Sequence, residues 1–211
     1  MVGWCRTHQR VHGWGALSDQ DISEACRLAR QALEAERDDA ETIWQAARTL
    51  FYLAGEAAMA AAAFDRALAL NPNAAHAWVY RANIHALRNQ PEAAIDAVER
   101  ARRLSPFDPY TFLYAVNIAV AHLVARRFEQ AIEWADRALH DQPRLVVAMR
   151  VKVVALAHLG RLDDARVEVS RLLAIYPKLT IAGLRESLHY TAAPEIVELV
   201  VTGLRLAGLP E

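Results

Sequence analysis

The chain has 211 residues, 54% of them apolar and 23% charged, with eight Gly, eight Pro and a net charge of −1. That composition excludes disordered and collagen-like chains and leaves one or two helix-rich, soluble domains. Acids and bases are interspersed, so the basic stripe of a nucleic-acid binder is absent, and Arg100, Arg102, Arg103, Arg126 and Arg127 read as solvated helix ends that complement the helix dipole.

Residues 2–13 read as the tail of a helix broken by Gly13-Trp14-Gly15, which predicts a natural polypeptide extending further upstream. Arg6, His8 and Arg10 interrupt any apolar run near Met1, so no signal peptide is expected. Cys5 and Cys26 are far apart without metal-ligand spacing, and are expected to be reduced thiols of a cytoplasmic protein. Ser18 or Asp19 caps a helix to about Arg37, with Ala25, Leu28, Ala29, Ala32 and Leu33 on one face. Residues 1–40 thus read as a degenerate or truncated first repeat.

Units of two short amphipathic helices follow, at 41–74, 75–108, 109–143 and 144–177. The first carries Trp44, Ala47 and Phe51, a turn at Gly55, then Ala60, Phe64 and Ala67, and closes at Pro72. The second carries Trp78, Ala82 and His85, then Ala94, Val98 and Ala101, and closes at Pro106. The third carries Ala115, Ala119 and His122, then Ala131, Ala135 and Ala138, and closes at Pro143. The fourth carries Met149, Val153 and Leu156, a turn at Gly160, then Ala165, Val169 and Leu172, and closes at Pro177. The prolines are 34, 37 and 34 residues apart, and the extra three fall in Ser105-Pro106-Phe107-Asp108-Pro109. The uncharged run Pro109 to Ala125 is short for a bilayer helix and is expected to be a buried inner helix.

An aromatic residue, small residues and a closing proline at this period resemble the tetratricopeptide repeat. The resemblance implies an all-α, right-handed solenoid of antiparallel helix pairs, one domain over 1–211, with 178–211 as C-terminal capping helices. The helix from Pro194 is apolar over a wide arc, so it serves as an end cap or as a homodimerising face. Gly13-Trp14-Gly15, residues 28–33, Leu104 to Pro109 and the ending from Gly203 to Glu211 are similar to C-terminal repeat regions of bacterial class III adenylate/guanylate cyclase-like proteins. No room exists for a cyclase domain before Ser18, so this resemblance implies a regulatory or scaffold module of a signalling protein, not cyclase activity.

No phosphate loop, HExxH, CxxC or nucleophile elbow occurs, so neither an enzyme nor a cofactor is expected. His8 and His12 lack neighbouring ligands for a metal, and His85 and His122 take the aromatic slot of inner helices. Repeat register places a peptide-binding groove at Gln45, Thr49, Tyr52, His76, Val79, Tyr80, Asn83, Val116, Asn117, Val120 and Arg150, with Val154 further along it. Asn83 and Asn117 stand in the asparagine slots of a carboxylate clamp, but Val79, Val147 and Val151 replace its cations, so no clamp is expected. The asparagines either bond a peptide backbone or are wetted by solvent. The expected partner is a protein or peptide segment, not nucleic acid or membrane, although the groove could equally be filled by the chain itself or by a second copy.

Overall fold

The computed structural model describes residues 17–35, 38–189 and 191–211. Among them are eleven α-helices, one π-helical turn and no strand. Helix α1 (Asp19–Ala35) begins at Ser18, whose Oγ accepts the Asp21 N–H at 3.1 Å while the Asp21 carboxylate takes the Ser18 hydroxyl at 2.8 Å. This reciprocal pair satisfies donors that the first helical turn leaves orphaned. The expected tail of a helix over residues 2–13 lies outside the described residues.

Four antiparallel pairs follow: α2 (Ala40–Thr49) with α3 (Ala57–Leu70), α4 (Ala75–Leu87) with α5 (Pro91–Leu104), α6 (Thr111–Val124) with α7 (Phe128–Asp141), and α8 (Val146–His158) with α9 (Leu162–Ile175). Asp39 caps α2 by accepting the N–H groups of Glu41 and Thr42 at 3.1 and 3.2 Å. Helix α2 then widens into a π turn, Leu50–Ala54, immediately after Thr49. Each inner helix turns into its outer partner through one left-handed residue: Gly55 (φ 70), Asn89 (φ 59), Arg126 (φ 58) and Gly160 (φ 76). Glycine and asparagine visit that region cheaply, whereas arginine adopts it against a steric penalty.

The pairs are held by packing of small against large residues. Ala60, Ala94, Ala131 and Ala165 are fully buried where the two helices of a pair cross, and Phe64, Val98 and Val169 fill the space beside them. Each such aliphatic or aromatic burial is worth about 1.5–3 kcal/mol. Inner helix α6 is buried without interruption from Phe112 to Ala121, which accounts for its uncharged sequence. No helix among the described residues is long and apolar enough to cross a membrane. Adjacent units share a recurring ion pair, Arg81 to Asp65 at 2.7 Å and Lys152 to Asp136 at 2.8 Å. Both span 16 residues and have one exposed partner, so each fixes the stagger of neighbours and contributes under about 1 kcal/mol.

Helices α10 (Ile181–His189) and α11 (Pro194–Leu206) close the C-terminal end. Helix α11 folds back along the array. The Ala193 N–H donates to the Leu87 carbonyl of the second unit at 2.8 Å, and Asn89 donates to the Glu195 carboxylate at 3.1 Å. Further along, the Leu199 carbonyl lies 2.9 Å from His158 Nε2 of the fourth unit. The chain end is tied down where the Ile181 N–H donates to the Pro210 carbonyl at 2.8 Å.

Candidate functional site

Inner helices α2, α4, α6 and α8 line one side of the array, and α11 lies on that side over its C-terminal portion. The decisive contact is at Gly203: a β-carbon there would fall 2.7 Å from Val154 Cγ1 and 3.1 Å from Val154 Cα. Val154 is a groove position by repeat register, and Val120 is its counterpart 34 residues earlier. Helix α11 therefore presses its glycine onto the groove floor and buries Ile196, Val197, Leu199, Val201 and Leu204 against the array. His158 supports it from below, stacked on Phe128 at 5.0 Å. The C-terminal helix thus covers inner helix α8.

The eleven groove residues consequently divide. Thr49, Val79, Tyr80, Val116, Asn117 and Val120 are buried, whereas Gln45, Tyr52, His76, Asn83 and Arg150 are half-buried. Arg150 belongs to the closed portion, where burial lowers its guanidinium pKa and Tyr176 partly offsets the shift. The remaining four half-buried residues lie over the first two units and define the open arc.

That arc is aromatic. Tyr52 meets Tyr80 edge-on at 6.2 Å and 81°, Tyr80 stacks on Trp44 at 5.7 Å, Trp44 tilts against His76 at 5.7 Å, and His76 meets Tyr110 edge-on at 6.1 Å and 65°. Beneath Tyr80 lies Arg48, 2% exposed, with its guanidinium carbon 5.1 Å from the ring centroid. Burial lowers the Arg48 pKa, opposed by Tyr80 and Tyr52. Burial likewise pushes the Tyr52 and Tyr80 hydroxyls well above the usual phenol range, so both are neutral donors.

Two polar devices orient the arc. The Asn117 amide donates to the Leu113 carbonyl at 2.8 Å and accepts from Asn83 Nδ2 at 3.2 Å, which fixes how Asn83 presents its own carbonyl. Asp108, in the loop carrying the three extra residues, is buried and accepts the Tyr114 hydroxyl at 3.0 Å and the Tyr110 N–H at 2.8 Å, with His76 Nε2 3.3 Å away. Burial, then Asp108, raises the Tyr114 pKa. The loop is thereby pinned, and it sets Tyr110 beside His76.

Trp44, Arg48, Asp108, Tyr110 and α11 are parts of this region that repeat register did not assign to the groove. Arg48 carried a signal: the same slot is Ala82, Ala119 and Val153 in the later units. No group of three His, Cys, Asp or Glu residues among those described is placed to hold a metal. His8 and His12 lie outside the described residues.

A tetratricopeptide repeat profile matches residues 45–109 and 116–179, more than half of the sequence. The chain belongs to the tetratricopeptide repeat family. No curated protein matches it. Among solved structures, the fold is similar to that of PilW, described as a widely conserved type IV pilus biogenesis factor, at 17% identity and a TM-score of 0.65 over 97% of this chain and 91% of that one. It is also similar to a thermophilic tetratricopeptide repeat protein of Thermus thermophilus, at 18% identity and a TM-score of 0.61 over 82% of this chain and 91% of that one. A third likeness is to YrrB, described as having an unusual peptide-binding site, at 21% identity and a TM-score of 0.50 over 86% of this chain and 91% of that one. At these identities the likeness concerns the fold alone. Repeats of this family generally mediate protein–protein interaction and are not catalytic.

Proposed function

We propose that the protein is a non-enzymatic interaction module that takes a partner segment on the concave face of its first two repeats. The observation that supports this reading is the open arc itself: half-buried Gln45, Tyr52, His76 and Asn83 over a ring floor, beside a groove portion already closed by α11. An apolar floor with a few oriented polar groups is what a peptide site requires. Asn83, held by Asn117, offers an amide oxygen and a second amide hydrogen to a peptide backbone.

A role as a cytoplasmic regulatory or scaffold region of a signalling protein rests on the sequence phrases that resemble cyclase-like repeat regions, and on them only. Self-association through α11 is the weaker reading, because its apolar side is spent on the chain's own inner helices. The test is capture of binding proteins from the source cell with the intact chain and with the His76→Ala/Asn83→Ala double variant, folding being checked by circular dichroism. A partner held by the intact chain and lost by the folded variant is the expected result. Equal capture by both would reject the groove.

A further inference from the structure

The edge of the array where one repeat passes to the next differs from the edge where the two helices of a repeat join. The loops at 71–74, 105–110, 142–145 and 176–180 all lie on the first edge, because inner and outer helices alternate in direction. We infer that this loop edge docks peripherally on an anionic lipid surface. The inference goes beyond the concave-face reading and does not rest on it, and it replaces the expectation from sequence that a membrane is not a partner.

The first observation is where large apolar side chains are exposed. Of the seven exposed among the described residues, Leu70, Phe107, Tyr110 and Tyr176 stand on the loop edge, beside the exposed Pro72, Pro106, Pro143 and Pro177. On the opposite edge, by the turns at 55, 89, 126 and 160, Met59 in the first turn of α3 is the one such side chain among those described. Apolar residues exposed singly mean little, whereas a row of them marks a contact surface.

The second is how Phe107 is held. Its ring is 96% exposed, yet its loop is fixed from beneath. Buried Asp108 accepts the Tyr110 N–H at 2.8 Å and the Tyr114 hydroxyl at 3.0 Å. A ring presented on a fixed loop loses little conformational freedom when another surface covers it.

The third is charge. Arg103, Arg144 and Lys178 are exposed on this edge and form no ion pair among the described residues. Arg102 and Arg205 stand near them, paired with Glu99 at 2.8 Å and Glu211 at 2.7 Å. The one further exposed acid of these loops is Asp141, which accepts the Thr111 hydroxyl at 3.0 Å. The edge is therefore positive from the second repeat onward. Asp38, Asp39 and Glu41 belong to the loop before the first repeat, two loops away from Phe107. The opposite edge also carries Arg88 and Arg126, but among Glu129, Asp163 and the pairs of Arg127 with Glu92 and Arg161 with Asp164.

The fourth is spacing. Loops of neighbouring repeats are about 10 Å apart, so the row from Leu70 to Tyr176 is roughly 30 Å long. Its side chains project singly from successive loops. A folded protein would need a matched socket for each, whereas a lipid surface accepts aromatic and aliphatic groups at any spacing and its anionic headgroups complement the cations. Rings at headgroup level with cations beside them are the usual arrangement at that interface. The contact is peripheral, since no helix among the described residues is long and apolar enough to cross a membrane.

The experiment is sedimentation of the full chain with sucrose-loaded vesicles, either of phosphatidylcholine alone or of an equal mixture with phosphatidylglycerol. Binding to the mixed vesicles and not to phosphatidylcholine alone is expected. Phe107→Ser should weaken it about tenfold or more, and Arg144→Gln and Lys178→Gln about fivefold each. Met59→Ser on the opposite edge and His76→Ala/Asn83→Ala on the concave face should leave it unchanged, with circular dichroism checking that every variant is folded. No binding to the mixed vesicles overturns the inference, as does binding that is indifferent to Phe107→Ser or weakened as much by Met59→Ser. Soluble polyglutamate tests the other acidic partner: if it binds, loses affinity in the two glutamine variants and the vesicles do not bind, the edge docks an acidic protein segment and the lipid assignment fails. Each of these failures leaves the concave-face reading standing, because that reading is decided by capture with the His76→Ala/Asn83→Ala variant.

Discussion

Gly203 of the last helix faces Val154 of the fourth inner helix so closely that any β-carbon on the glycine would fall 2.7 Å from Val154 Cγ1 and 3.1 Å from its backbone Cα. This contact joins the C-terminal helix to the concave floor, two repeats away from where that helix begins at Leu87. In a simple solenoid each repeat touches only its neighbours. Here α11 ties the second repeat to the fourth across the third.

Gly203→Ala is therefore expected to destabilise the chain. Alanine in a helix interior gains about 1 kcal/mol over glycine, but overpacking costs about 1–3 kcal/mol when a backbone atom stands in the way. The net loss should reach up to about 2 kcal/mol by urea denaturation. Gly183→Ala is the control, because its β-carbon would meet only Thr180 Oγ1 at 3.4 Å, an ordinary contact, and it should leave the midpoint unchanged or raised.

Arg126→Gly should stabilise the protein. Arg126 holds a left-handed conformation at φ 58, where a non-glycine residue pays about 1–2 kcal/mol. Glycine returns about 0.5–1 kcal/mol of that as lost chain entropy, leaving a gain of up to about 1.5 kcal/mol. Asn89→Gly should gain less, since asparagine tolerates φ 59. Thermal midpoints of the two variants provide the comparison.

His122 gives the fold a pH dependence whose sign can be worked out. Burial, and then the neighbouring Arg127, depress its folded pKa below the ordinary value of 6.5. The unfolded chain binds the proton more readily, so the contribution is fully present above about pH 6.5 and fades as pH falls through the depressed folded value. Urea midpoints measured from neutral pH downward should fall in that window, and His122→Gln should flatten the decline. An equal decline in the variant would assign it to other groups.

The repeat period was legible because it is a packing constraint written at every turn: Ala60, Ala94, Ala131 and Ala165 recur where helices cross, and the closing prolines recur with them. Burial within a slot was less so. Trp44 and Trp78 occupy the same slot, yet Trp44 is 2% exposed and Trp78 is half-buried. Trp44 is covered by His76 and Tyr80 of the next repeat, while the corresponding residues after Trp78 are Leu113 and Asn117. Trp78 instead donates Nε1 to the Pro72 carbonyl at 2.9 Å and lies under Arg100 at 4.7 Å. The path of α11 was not legible either. Its periodicity announces an apolar side without saying which surface receives it, and the contact that decides, Gly203 on Val154, joins residues 49 apart through one missing side chain.

The central claim is that α11 closes the groove over the later repeats and begins at the second, leaving the first two repeats open. The direct measurement is a thiol cross-link between Asn89→Cys and Glu195→Cys, positions whose native side chains lie 3.1 Å apart, with Cys5 replaced by serine and Cys26 left in its buried place. A short bismaleimide should join the two within a single chain, giving a monomer mass plus one linker. Linkage only between two chains, or none at all, would contradict the docking of α11 and with it the division of the groove.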